Sequence, residues 1–147
     1  MVSEATLSAQ EIAEELRPAI LRLGRHLRRE TEQLGVTSHQ ATLLWQVKTR
    51  PGLSLRELAH AEGISAPSLS AHVDRLEALG LIRRVRSSDD RRRVGLELTP
   101  EGRTTLRRVR ARRTTWLADR LGRLSDEDRE RLERALPALA ALLEIAE

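Results

Sequence analysis

SLRELAHAEGISAPSLSAHVDRLEALGLIRRVRSSDDRRRVGLEL, residues 54–98, is the stretch that decides the fold of this chain. Ser54 begins a capping box of the form Ser-x-x-Glu, which predicts the start of a short helix. Gly63 can adopt the left-handed conformation that a turn after this helix needs. Ser65 caps a second helix, and Pro67 falls in its first turn, where a missing N–H is tolerated. We therefore predict two helices joined by a tight turn.

The second helix has two chemically different faces. Its apolar side chains recur at helical spacing and predict a face turned into the core, formed by Leu69, Val73, Leu76 and Leu79. The opposite face is small near its start, so the helix can approach another surface closely. If the two helices form a DNA-binding helix-turn-helix, the residues of that face and its flanks that would contact DNA are Ser65, Pro67, Ser68, Ser70, Ala71, His72 and Arg75.

A hairpin is predicted to follow the second helix. Residues 81–86 and 94–98 are rich in β-branched and alternating residues, which favours paired strands, and the loop between them is polar and carries three consecutive arginines. A helix-turn-helix followed by such a hairpin predicts a winged helix-turn-helix, whose second helix enters the major groove while the wing reaches phosphates or the minor groove. The candidate DNA-binding residues of the hairpin are Arg86, Asp90, Arg91, Arg92 and Arg93.

The distribution of charge agrees with a nucleic-acid partner. Arginine supplies 25 of the 26 basic residues, and the formal net charge is +4. Residues 35–124 carry 18 basic and 9 acidic groups, so the positive charge is concentrated around the helix-turn-helix and the hairpin. The alternative is a winged-helix module that binds an acidic protein partner through its basic wing, without specific DNA binding.

Long helices are predicted on both sides of this region. Ser8 begins a helix that extends to about Gln33, with a kink or restart expected at Pro18. Another capping box, formed by Thr37 and Gln40, predicts a helix over residues 38–48. It has a wide apolar face on which we expect Trp45 to be a core residue.

The C-terminal part of the chain predicts two more helices. One begins at Thr99-Pro100-Glu101, and the last begins after Ser125, with a local break or kink expected at Pro137. Its final run, ALPALAALLEIA, is apolar on nearly every side, which in so short a chain favours an oligomer interface. We therefore assign residues 1–35 and 99–147 to a helical dimerisation region and residues 36–98 to the winged helix-turn-helix, within a single integrated domain of the mainly α, α+β class.

Several classes of function have no support in the sequence. No apolar run approaches the roughly 18 residues of a membrane span, and no secretory signal begins the chain, so we expect a cytoplasmic protein that does not enter a membrane. The absence of cysteine excludes disulfides and thiol-based oxidation sensing. The four histidines lack metal-ligand spacing, and no nucleotide-binding or hydrolase motif is present. We therefore expect no catalytic site, no metal and no cofactor.

Two stretches, SAPSLSAHVDRLEALGLIRR and SSDDRRRVGLELTPEG, carry a family resemblance. Together with the long first helix, they resemble the MarR family of bacterial transcriptional regulators from about residue 10 to the end of the chain. The wing is the most specific part, through an Asp-Arg-Arg followed by a strand and then Leu-Thr-x-x-Gly. The matching residues are Asp90, Arg91, Arg92, Leu98, Thr99 and Gly102. The resemblance implies an obligate homodimer on a pseudo-palindromic operator, most often a repressor released by a small ligand or an oxidant.

The resemblance also implies roles for individual residues. Ser65 and Ser68 would meet phosphates or base edges, Ala71 would contact a thymine methyl group, and Arg75 would contact a phosphate. In the wing, Asp90 would pair with an arginine, and Arg91 or Arg92 would reach the minor groove. Relatives with a long polar or arginine side chain at the position of Ala71 differ from this chain, so less direct base recognition is expected there.

A binding site for a small-molecule inducer is implied between the dimer helices and the DNA-binding region. In this chain it would involve Arg22, His26, Ser38, Arg113 and Trp116. An arginine could pair with a carboxylate, and Trp116 could stack on an aromatic ring. The alternative is that Trp116 is a core residue and that the arginines are solvated or salt-bridged.

Overall fold

The computed structural model describes residues 6–86, 89 and 92–145. In these residues the chain forms α1 (Ala9–Glu32), α2 (Ser38–Thr49), α3 (Leu55–Ala61), α4 (Ala66–Ala78), β1 (Ile82–Arg86), β2 (Val94–Leu98), α5 (Pro100–Leu121) and α6 (Asp126–Glu144). The two strands pair antiparallel, with Ile82 opposite Leu98 and Arg86 opposite Val94. The predicted order of helix, turn, helix and hairpin is therefore confirmed. None of the described helices is both long and apolar enough to cross a membrane.

The helix starts follow from side-chain caps that the sequence predicted. Ser8, Thr37 and Ser54 each accept a hydrogen bond from the backbone three residues on, and in each case the Glu or Gln at that position returns one. Ser65 Oγ accepts a hydrogen bond from the Ser68 N–H at 3.2 Å and so starts α4. These bonds satisfy backbone donors that a helix start otherwise leaves unpaired.

Two prolines leave their helices continuous. Helix α1 runs through Pro18 and helix α6 runs through Pro137, so the predicted restart and break were wrong. A proline removes one N–H donor from the ladder of backbone bonds. Helices of 24 and 19 residues retain the remaining bonds on both sides of that position.

The hydrophobic core lies between α2, α3, α4 and the hairpin, with a contribution from α5. Its most deeply buried side chains are Leu43, Leu44, Leu69, Val73, Leu76, Ile82 and Val109. Backbone contacts divide the chain into two compact units, of which the first ends at Arg113 and the second begins at Thr114. The core therefore belongs to the first unit.

Two residues expected in the core are exposed. Trp45 is 48% exposed, because it lies about 100° round α2 from the buried Leu44. The Nζ atom of Lys48 lies over its ring, 5.8 Å from the ring centroid. Leu79 is 54% exposed, since it follows the last residue of α4 and lies about 80° from Leu69 on the helical projection.

The Leu-Thr-x-x-Gly motif joins the end of α4, the start of the hairpin and the start of α5. Thr99 Oγ1 donates a hydrogen bond to the Gly80 carbonyl at 2.5 Å and accepts one from the Gly102 N–H at 3.0 Å. The Thr99 N–H donates to the Leu81 carbonyl at 3.1 Å. A Cβ atom added at Gly102 would lie 2.0 Å from the Leu81 carbonyl oxygen. Only glycine fits this position without a shift of the backbone.

We expect Gly102→Ala to destabilise the fold, because neither the Leu81 carbonyl nor the start of α5 can move without breaking the bonds of Thr99. The expected loss in the free energy of unfolding is about 1–3 kcal/mol or more, measured by urea denaturation. Gly122→Ala is the matched control, since its nearest contact would be an ordinary 3.4 Å. Equal stability of the two variants would contradict this explanation of the motif.

Candidate nucleic-acid interface

Helix α4 separates its buried and exposed residues as the sequence predicted. Leu69, Val73 and Leu76 are buried. The candidate DNA-contacting residues Ser65, Pro67, Ser68, Ala71 and Arg75 are exposed, while Ser70 and His72 are half-buried on the flanks. The exposed face thus begins with short side chains, which permits a close approach to the helix start.

The first turn of α4 contains two serine hydroxyls with different hydrogen bonds. Ser65 Oγ accepts from the Ser68 N–H and donates to Ser68 Oγ at 2.9 Å, so it is engaged in capping the helix. Among the described residues, the hydroxyl of Ser68 donates to no partner. Ser68 is therefore the better placed of the two to donate to an acceptor outside the protein.

An arginine of the hairpin pairs with both acidic side chains of α4. Arg84 Nη2 lies 2.7 Å from Asp74 Oδ1, and Arg84 Nη1 lies 2.9 Å from Glu77 Oε1. The hydrogen bond that Arg84 donates to Asp74 is the main reason why the pKa of Arg84 is raised. The pair ties β1 to α4 and offsets the carboxylate of Asp74, which would otherwise repel phosphates.

The candidate wing residues lie in different environments. Arg86 and Arg92 are exposed. Arg93 Nη2 donates to both carboxylate oxygens of Glu57, at 2.8 and 2.7 Å, and lies 3.3 Å from the Gly52 carbonyl. Asp90 and Arg91 lie outside the described residues. Of the wing arginines, Arg93 is thus directed back towards the start of α3.

A pair of histidines links α2 to α4. The ring centroids of His39 and His72 are 4.5 Å apart, and His39 Nε2 is buried without a hydrogen-bond partner. Burial lowers the pKa of His72, and the positive charges of His39 and Arg75 lower it further. This contact has no local signal in the sequence, because the two residues are far apart along the chain.

We expect protonation of His72 to lower the free energy of unfolding in acid. Because its pKa in the folded state is below the ordinary 6.5, the unfolded chain takes up the proton more readily. Stability should therefore fall as the pH drops below about 6.5, down to the folded-state pKa. Urea denaturation between pH 7.5 and 5 should show a smaller fall for His72→Gln than for the wild type or for the control His60→Gln, which alters an exposed histidine of α3. Identical pH profiles would contradict the assignment.

Two of the residues predicted to bind an inducer lie together. Arg113 Nε donates to Thr31 Oγ1 at 2.8 Å, and Arg113 Nη2 lies 3.4 Å from Ser38 Oγ. Burial lowers the pKa of Arg113, and no carboxylate among the described residues pairs with it. Its neighbour Arg112 differs, since it pairs with Glu30 at 2.9 Å.

The other predicted inducer-binding residues are less buried or belong to the second unit. Arg22 and His26 are exposed on α1. Trp116 is half-buried in the second unit, with the guanidinium carbon of Arg120 4.8 Å from its ring centroid. Thr31, which is fully buried, is a residue of the Arg113 site that the sequence analysis missed. Within the described ranges, no group of three or more His, Asp or Glu side chains could hold a metal ion.

Comparison with known proteins identifies the family. A sequence model described as the MarR family matches residues 34–93. The HTH-type transcriptional repressor MdtR of Bacillus subtilis (strain 168) is 30% identical over 128 residues, which are 87% of this chain and 78% of MdtR. The chain belongs to the MarR family. It is a transcriptional regulator, as are its relatives in this family, and not an enzyme.

Solved structures of similar proteins cover nearly the whole MarR-family chain. RV1404 from Mycobacterium tuberculosis matches with a TM-score of 0.79 at 27% identity, over 95% of this chain and 97% of that one. A mutant of S. aureus MepR bound to an oligodeoxyribonucleotide matches with a TM-score of 0.70 at 21% identity, over 95% and 100% of the two chains. At that identity, the likeness to MepR concerns the fold.

Proposed function

We propose that this MarR-family regulator is a homodimeric repressor that binds a pseudo-palindromic operator in double-stranded DNA and is released by a small aromatic or anionic ligand. The observation that carries the proposal is the exposed face of α4, which is small and polar at its start and whose two carboxylates are both paired with Arg84. Since its relatives are bacterial regulators, the compartment we propose is the cytoplasm, where bacterial DNA lies.

In the proposed complex, α4 lies in the major groove. Ser65 and Ser68 approach phosphates or base edges, Ala71 contacts a thymine methyl group, and Arg75 contacts a phosphate. The wing residues, among them Arg86 and Arg92, reach phosphates or the minor groove. MepR, which has the same fold, was solved with an oligodeoxyribonucleotide, and this supports DNA as the partner. Repression is supported by the relative MdtR, which is itself a repressor.

The proposed dimer uses the helices on both sides of the winged helix-turn-helix, in residues 1–35 and 99–147. Helix α6 has no buried residue among those described. Its leucines are exposed, and the most exposed are Leu136 at 60% and Leu143 at 88%. Helix α1 also leaves large apolar side chains exposed, namely Ile12, Ile20, Leu21 and Leu23. Covering these side chains with a second copy would remove them from water and bring two α4 helices to one operator.

We expect Leu136→Glu combined with Leu143→Glu to give a monomer, because the two leucines lie on one face of α6 and carboxylates cannot be buried there without a partner. Sedimentation velocity should show about half the mass of the wild type, and operator affinity should fall with it. Glu133→Gln, which alters an exposed polar residue of the same helix, is the control. A double variant that remains dimeric would contradict the proposed interface.

The proposed inducer site is centred on Arg113. This half-buried cation has hydroxyl partners, Thr31 and Ser38, and no described carboxylate partner. A cation removed from water without a counter-ion is costly, and an arginine binds a carboxylate well through its planar fork. We therefore propose an anionic ligand with a carboxylate group. Arg22 and His26, which like Arg113 belong to the first unit, are the further residues that we propose to take part.

Selection of bound sequences from a random duplex pool at about 150 mM salt tests the proposed function. We expect enrichment of an inverted repeat whose half-sites are about one helical turn apart, as a dimer with two recognition helices requires. Enrichment without symmetry would contradict the dimeric arrangement. No enrichment at all would favour the alternative of a winged-helix module that binds an acidic protein.

A further inference from the structure

Arg93 connects the hairpin to two segments of the helix-turn-helix. Its Nη2 atom donates to both carboxylate oxygens of Glu57 on α3 and approaches the Gly52 carbonyl in the turn after α2. Arg92 and Arg93 also line the same surface cleft as Ser54 and Glu57. The end of the wing is thus held against the start of α3 by side chains from both sides.

Glu57 is also held in place by the first turn of its own helix, α3. One of its oxygens accepts the Ser54 backbone N–H at 2.8 Å in the capping box of α3. This hydrogen bond is the main reason why the pKa of Glu57 is lowered, so the carboxylate is ionised near neutral pH. Next to it, Ser54 forms an isolated antiparallel bridge with Gly95 of β2. The capped end of α3 therefore provides a fixed anion beside the hairpin.

We propose that Glu57 and Arg93 are positioning residues that set the placement of the wing relative to α4, and that Arg93 acts through Glu57 rather than through a phosphate. This inference rests on the proposed function, because it assumes that the wing takes part in operator binding. A wing held in one orientation before DNA arrives loses less conformational freedom on binding than a wing that must be ordered then.

The competing explanation assigns Arg93 to a phosphate contact, and it predicts the opposite effect of one substitution. If Arg93 binds phosphate, Glu57 competes for it and also repels DNA, so removing the carboxylate charge should tighten binding. If the pair positions the wing, removing that charge should weaken specific binding although the protein becomes more positive. Glu57→Gln separates the two, because glutamine can still serve in a capping box.

The experiment compares Glu57→Gln, Arg93→Gln and the double variant with the wild type. Affinity is measured for the operator obtained by selection and for an unrelated duplex of the same length, over a range of salt concentrations. Glu97→Gln is the matched control, since Glu97 forms an ion pair of the same kind with Arg83 at 2.8 Å within the hairpin. Because such exposed pairs contribute little to folding, all variants should unfold at nearly the same urea concentration.

We expect Glu57→Gln to weaken operator binding about fivefold, with no loss for the unrelated duplex. Arg93→Gln should weaken operator binding by a similar factor, and the double variant should bind no more weakly than either single one. The control Glu97→Gln should bind the operator as the wild type does.

Tighter binding of both duplexes by Glu57→Gln would overturn the proposal, and so would additive losses in the double variant. A loss of operator affinity in Glu97→Gln equal to that in Glu57→Gln would overturn it too, since the effect would then not be specific to the pair of Glu57 and Arg93. Failure of the proposed function is a different result, namely a wild-type protein that selects no sequence.

Discussion

The arrangement of the DNA-binding region depends on one close backbone approach, that of Gly102 to the carbonyl of Leu81. Helix α4, the hairpin and α5 meet at this point, and Thr99 bonds to both Gly80 and Gly102 there. A side chain at residue 102 would overlap the Leu81 carbonyl, so α5 could not begin where it does. Helix α4, the hairpin and α5 are therefore fixed to one another by a joint that has no room for a methyl group.

Arginine has two uses in this region, which the charge of the sequence does not distinguish. Arg84 and Arg93 pair with carboxylates of α4 and α3 and thereby tie the hairpin to the two helices. Arg75 and Arg86 are exposed and have no described carboxylate partner. Arg84 and Arg93 organise the surface, whereas Arg75 and Arg86 are suited to contact phosphates. An arginine count alone therefore overstates the number of arginines that lack a carboxylate partner among the described residues.

Much of the fold could be predicted because its signals are local. The caps at Ser8, Thr37 and Ser54 depend on residues three positions apart, and the exposed face of α4 follows from helical spacing. The predictions that failed, and the contacts that were missed, concern residues whose burial and partners depend on where they lie in the folded chain. Trp45 is apolar enough for a core but lies on the outer side of α2. The contact of His39 with His72, and the place of Thr31 beside Arg113, bring together residues from separate helices and have no local signal.

The two uses of arginine also bear on how binding should depend on salt. An arginine that is already paired with a carboxylate keeps that partner when DNA binds, or exchanges it for a phosphate. An arginine that keeps its carboxylate releases no counterion from the DNA. An arginine that exchanges its carboxylate for a phosphate leaves a free carboxylate facing the duplex. Arg83, Arg84 and Arg93 are all paired in this way. If these ion pairs persist in the complex, the salt dependence of DNA binding reflects the unpaired arginines alone, and it is smaller than the excess of basic residues in this region implies.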